Sequence, residues 1–446
     1  MNGPRPRRAA ITGVLALALL VPAGAVQAAG PETLVLHQDP FDVTLYDLDG
    51  DGAGPGDLFT WIAPVGADDG RSGSVVGTHV TVAMPTSGPF AEVRIGTSVI
   101  DLGNGDRIAL GGLVPVTTPL GQIAPGTELI NAVIGGTGVY GGAKGEIRSL
   151  RAEDGSWTHT LTYRTADLTA PVRSFSDVSS YVSATADLTG DGEIGPGDLR
   201  VYHVISMTDE GVPLEARGAS FIVNASTGDG GSAQALGYDV LRVGDDLLAD
   251  LAAPPVLGPS GQLAGPAVNP IVGGTGDLAG ALGTWAYGSL DDGLATRTIE
   301  LLAAQPEAVT RSLVLNTAAA PVRMTDRGAA GESLGDLQGW ELPFTGDDGE
   351  SGVAYGYATT VAPATDGTPV RTVMGLISLQ FADGSTLLVG DLHTQVAAIP
   401  DAADAAVTRP VLGGTGRFAG HSGELITTRD GAGGLVHTFT LRGPAA

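Results

Sequence analysis

The sequence predicts an all-β protein built as three tandem antiparallel β-barrels, and two observations carry that expectation. The first is composition. With 69 Gly and 28 Pro in 446 residues the chain has too much turn chemistry for a helical bundle, and with 43% apolar residues it is too apolar for disorder. The second is a repeat written three times. Gly135-Gly136-Thr137-Gly138 returns as Gly273-Gly274-Thr275-Gly276 and as Gly413-Gly414-Thr415-Gly416, at offsets of 138 and 140 residues. Gly56-Asp57-Leu58 returns in step as Gly197-Asp198-Leu199 and Gly335-Asp336-Leu337.

Taken in chain order, residues 1–29 read as a secretory signal peptide. Arg5, Arg7 and Arg8 precede an apolar run from Ala9 to Val26, and small residues follow at Ala28 and Ala29. Export is therefore expected. The remainder divides into units at 30–168, 169–306 and 307–446, each large enough to bury its own core. No later stretch is long and apolar enough to span a bilayer, so no membrane span is expected. The formal charge of −26, from 23 basic and 49 acidic residues, argues against nucleic acid and anionic lipid as partners. Cys is absent, which excludes disulfides, thiolate metal sites and a cysteine nucleophile.

Within each unit the apolar residues alternate with a period of two, as in Arg107-Ile108-Ala109-Leu110 and from Val373 to Phe381. Asp-Gly turns at 69–70, 292–293, 348–349 and 383–384 break the alternation. That pattern gives hairpins, and seven or eight such strands per unit suggest a barrel that closes on itself and removes its edges. Gly136-x-Gly138-x-x-Gly141 could be read as a dinucleotide fingerprint, but that motif needs a helix after it, and a strand pattern follows in every copy.

Each Gly-Gly-Thr-Gly heads a longer string. In copy one it continues Val139-Tyr140-Gly141-Gly142-Ala143-Lys144-Gly145, in copy two Asp277-Leu278-Ala279-Gly280-Ala281-Leu282-Gly283, and in copy three Arg417-Phe418-Ala419-Gly420-His421-Ser422-Gly423. These strings, with the Gly-Asp-Leu lead-in, resemble the allene oxide cyclase and dirigent barrel family. The resemblance implies eight-stranded antiparallel barrels, commonly trimeric, and a cofactor-free lumen in which a polyene epoxide is cyclised or phenoxy radicals are steered. Three barrels on one chain then imply a trimer-like cluster within a monomer. The family's first-strand acid position holds His37 in copy one and Asn316 in copy three. Its Asn position holds Ala63, Val204 and Leu342, and its Cys position holds Ala83, Asn224 and Ala362. No copy keeps the cyclase set, which argues against that activity and leaves His37 as the candidate lumen acid or base.

Three residues after the repeated Leu an aromatic persists: Trp61, Tyr202 and Trp340. Period two puts each on the face of the lost Asn position, as core filling or as a stacking wall for an apolar or aromatic ligand. Calcium is a second candidate. Asp187, Thr189, Asp191, Glu193 and Asp198 stand near the oxygen-ligand register of a calcium loop, with Gly192 at its turn, and look like a dockerin loop without the following helix. Copy one offers Asp47, Asp49, Asp51 and Asp57, the last one residue early. Acidic Gly-rich turns leading into Gly-Asp-Leu explain both equally simply. Gly331-Glu332-Ser333-Leu334-Gly335 matches a nucleophile-elbow string without the strand and helix that an elbow needs. No two of the seven His residues share metal-ligand spacing.

The leading expectation is a secreted, non-catalytic or auxiliary protein that binds an apolar or aromatic small molecule, or an extracellular partner, through its barrel mouths. One alternative is a cofactor-free cyclase or dirigent-type catalyst. The other is a calcium-stabilised structural protein of the cell surface.

Overall fold

The computed structural model describes residues 30–444 apart from 53, 87–88, 118–122, 167–170, 181, 226–232, 253–255, 258–266, 290–293, 303–308, 319–321, 328–330, 365–369, 397–405 and 432–433. The signal-peptide reading falls outside the described residues. The protein is all-β, and among the described residues the only helical elements are three single 3-10 turns.

The first unit runs through Glu32–Gln38, Leu58–Ala67, Ser72–Ala83, Glu92–Asp101, Arg107–Val116, Glu128–Thr137, Lys144–Arg151 and Trp157–Arg164. Each strand pairs antiparallel with the next, and the first pairs with both the last and the second, so the barrel closes on eight strands. The third unit, from Val309–Thr317 to Leu435–Gly443, closes in the same way through Leu315↔Gly346, Asn316↔Thr345 and Thr317↔Phe344.

The second unit, from Arg173–Ser179 to Ala295–Leu302, has the same strand order but no ladder between its first strand and Leu199–Met207. It is a half-closed barrel sheet. Hydrogen bonds from a buried ion pair on one edge span the gap, and just beyond the facing strand the Asp209 amide donates to the Ser176 carbonyl at 2.8 Å. Arg297 Nε donates to Asp177 Oδ1 at 2.8 Å, and Asp177 Oδ2 accepts from Ser206 Oγ on the facing strand at 2.6 Å. Exposed apolar side chains gather along this seam, at Val178 on one edge and Ile205 and Met207 on the other.

Inward residues fill three separate lumen cores, around Leu36, Ile108 and Leu161 in the first barrel, Phe175, Leu241 and Trp285 in the second, and Phe344, Val389 and Phe439 in the third. A fourth core joins outward residues of all three units: Val80 and Ile95 from the first, Leu199 and Phe221 from the second, Leu337 and Met374 from the third. The second to fourth strands are thus apolar on both faces, because one face packs into a lumen and the other against the neighbouring barrels. The three barrels form a trimer-like cluster inside one chain.

The repeated glycines sit where this cluster is tightest. A Cβ on Gly135 would lie 2.9 Å from Val272, and one on Gly413 would lie 2.9 Å from Ile134, so the first glycine lets neighbouring barrels meet. A Cβ on Gly136 would lie 2.3 Å from the Tyr140 carbonyl oxygen, so the second lets the 3-10 turn fold back over its own strand. The last, Gly138, has a φ of +60°, which a side chain disfavours.

Next to these glycines each sixth strand carries a β-bulge. Ile134, Val272 and Leu412 are the extra residues, skipped by the register of their ladders. Their carbonyls converge on the pseudo-threefold axis. There Lys144 Nζ donates to all three, at 2.6 Å to Ile134 O, 2.7 Å to Val272 O and 2.7 Å to Leu412 O.

Candidate functional site

The three lumens share a frame and differ in content. Trp61, Tyr202 and Trp340 all point inward, and each lies over a glycine of the next strand. A Cβ at Gly77, Gly218 or Gly356 would fall 1.9–2.3 Å from the ring of its aromatic partner. Each glycine therefore provides the flat floor on which the aromatic rests.

In the first barrel that ring borders an open cavity of about 270 Å³. Phe41, Phe59, Trp61 and Trp157 form its aromatic wall, and Gln38, His79, Ser98, Asn131 and His159 supply polar atoms. The Trp61 ring centroid is 4.4 Å from that of His79 and 6.4 Å from that of Phe41. Trp157 stacks parallel to His159 at 6.2 Å. Arg94 lies with its guanidinium carbon 3.6 Å from the Phe59 ring centre, and Glu92 receives its Nε at 2.6 Å and Nη2 at 2.9 Å, so this buried cation is compensated.

Both lumen histidines are held neutral. Burial, reinforced by the Arg94 charge, pushes His79 down to about 3, and burial with the His37 charge pushes His159 down to about 4. His159 bonds to Ser149 Oγ at 2.8 Å and to Gln38 Oε1 at 3.0 Å. The cavity is thus aromatic and edged by neutral hydrogen-bonding groups, with Arg94 compensated by Glu92 and Arg151 donating to the Ile123 carbonyl, which is the chemistry of a site for a flat neutral molecule.

The second lumen carries a buried polar cluster. Tyr202 hydrogen-bonds to Asp239, while Asn269 Nδ2 donates to Asp250 Oδ2 at 2.8 Å and to Tyr287 Oη at 3.2 Å. Burial raises Asp239 to about 7, and burial with the Asp239 charge raises Asp250 well above the carboxylate range. The third lumen keeps a cavity of about 120 Å³ beside Trp340, crossed by a polar chain. Asp391 Oδ1 accepts from Arg409 Nε at 2.5 Å and bonds to His393 Nδ1 at 2.8 Å, and His393 Nε2 meets Gln395 at 2.7 Å.

The structure corrects the place of His37. It is exposed on the outer face of its strand, with Nε2 2.8 Å from Asp68 Oδ1. Leu34 and Leu36 are buried inward, so alternation gives the inward position to Gln38, one residue on. Ser333 is no elbow. Its hydroxyl donates to the Arg327 carbonyl at 2.9 Å, and the strand Leu337–Gly346 follows it.

The acidic loops are knitted by their own backbone. Asp187 accepts from the Gly190 and Gly192 amides at 2.7 and 2.8 Å, and Asp198 from Leu188, Thr189 and Gly195. Thr189 Oγ1 donates to Asp187 at 3.2 Å, and Asp191 and Glu193 stand exposed. Among the described residues, three carboxylates converge within 4.8 Å only at Asp47, Asp49 and Asp51, in the loop whose register is one residue short. There Asp47 caps the Gly50 and Gly52 amides, Asp51 faces Arg323 at 3.5 Å, and Asp57 turns inward to the Gly54 amide.

Sequence reasoning missed the lumen histidines. Counting 24 residues from the first glycine of each repeat gives His159, Arg297 and His437, which occupy one barrel position. In copies one and three that position bonds to a Ser or Thr on the seventh strand and to a first-strand side chain: His159 with Ser149 and Gln38, His437 with Thr427 and Thr317.

No family model matches this sequence, and no curated protein matches it. Among solved structures, a pyocyanin demethylase is similar at 20% identity over 30% of this chain and 99% of that chain, with a TM-score of 0.23. A likeness of that size carries no argument about activity.

Proposed function

We propose that the chain is an exported, non-catalytic binding protein that takes a neutral aromatic or apolar small molecule into the lumen of its first barrel. The observation that carries this reading is the open cavity of about 270 Å³ walled by Phe41, Phe59, Trp61 and Trp157. The neutral histidines favour binding over catalysis. Groups at about 3 and 4 are weak bases at neutral pH and serve as hydrogen-bond partners rather than proton acceptors. Export rests on the leader at 1–29.

Isothermal titration with 2-naphthol as a flat neutral probe tests the reading. Binding to the full chain is expected, weakened about tenfold or more in Trp61→Ala by loss of stacking area and unchanged in Trp340→Ala. Absence of binding, or equal loss in both variants, contradicts it. A separate stabilising role for calcium rests on the convergence of Asp47, Asp49 and Asp51. Melting with and without a chelator decides that role, and an unchanged melting temperature discards it.

A further inference from the structure

Lys144 is 4% exposed, and among the described residues its ammonium meets no carboxylate: its three bonds go to the bulge carbonyls of three different barrels. An ammonium offers three N–H groups splayed about its C–N bond, and three carbonyls arranged about a pseudo-threefold axis match that set one to one. Register explains why the carbonyls are there. Each belongs to the extra residue of a bulge, so the ladder does not use it, and a buried carbonyl without a donor is costly.

The position of the lysine is not special to copy one. Nine residues after the first glycine of each repeat stand Lys144, Leu282 and Ser422, each opening a seventh strand and each buried. The same cluster symmetry relates all three, yet only Lys144 brings an amine, which burial pushes down to about 7. We propose that the carbonyls of Ile134, Val272 and Leu412 form a site for a primary ammonium which the chain fills from within, and that any one barrel can supply this ligand but only one at a time. Two ammoniums brought to one axial point repel each other in a medium that screens them poorly. Three identical subunits would bring three, so this tie requires copies that are joined and different.

Moving the lysine tests the inference, read by thermal melting of the full chain. Lys144→Leu is expected to lower the melting temperature by several degrees, and the relocations Lys144→Leu/Leu282→Lys and Lys144→Leu/Ser422→Lys to recover at least half of that loss. Leu282→Lys added to the unaltered chain is expected to destabilise it. Ammonium chloride should restore Lys144→Ala saturably, whereas tetramethylammonium chloride, which has no N–H, should not. Melting of Lys144→Leu with the wild type, failure of both relocations, tolerance of a second lysine, or equal rescue by the two salts each overturns the inference. Should Lys144→Leu fail to fold, recovery of folded protein on relocation is the same readout.

Discussion

Single side chains set the pH behaviour of this molecule from two directions. His79 is pushed down to about 3 in the folded state, against an ordinary value near 6.5. The unfolded chain therefore binds a proton that the folded chain refuses. The contribution is whole above pH 6.5 and is lost as pH falls toward 3, at about 1.4 kcal/mol per pH unit. His79→Gln should flatten this acid limb in melts taken between pH 6.5 and 4, and an unchanged slope would show that His79 is not held neutral. Asp239 acts the other way. Raised to about 7, it contributes stability that is present below pH 4 and lost as pH rises through 7. Asp239→Asn removes the buried carboxyl that must ionise and should raise the melting temperature more at pH 8 than at pH 5. A smaller gain at pH 8 would contradict a carboxyl held protonated by burial.

At the scale of strands, legibility in the sequence followed periodicity. The alternation and the Asp-Gly turns predicted hairpins, and the triplicated glycines predicted corners shared by three units. The inward aromatics were also readable, because Trp61, Tyr202 and Trp340 keep one offset from Leu58, Leu199 and Leu337. His37 was misplaced by one residue because a family position was followed where Leu34, Leu36 and Gln38 already marked the inner face. The polar lumens were not legible. Gln38 and His159 are 121 residues apart in sequence and meet only when the first strand closes on the eighth. Nor was the open seam of the second barrel, which depends on Asp177, Ser206 and Arg297 replacing a ladder. Amides of Arg173–Ser179 should accordingly exchange with deuterium faster than those of Glu32–Gln38 and Val309–Thr317, and equal protection would mean that the seam is closed in solution. Arg297→Met leaves Asp177 buried and unpaired and should cost about 3–5 kcal/mol in denaturant unfolding. A loss below 1 kcal/mol would show that the pair does not anchor the Ser206 bonds that cross the seam.

The whole molecule divides its labour among three copies of one fold. A common outer core and one axial lysine hold the barrels together, and the lumens are then free to diverge: the first is open and aromatic, the second carries a buried cluster of Asp, Asn and Tyr side chains, and the third keeps a smaller cavity crossed by an Arg–Asp–His–Gln chain. The axis was invisible in the sequence, because Ile134, Val272 and Leu412 meet only through packing of the barrels. The claim that the first lumen is the binding site is tested most directly by equilibrium dialysis of 2-naphthol against the full chain and against Ser98→Phe, which places a ring in that cavity. One site per chain, lost in Ser98→Phe while the fold melts as before, is the predicted result. Two or three sites, or a site undiminished by the added ring, would contradict it.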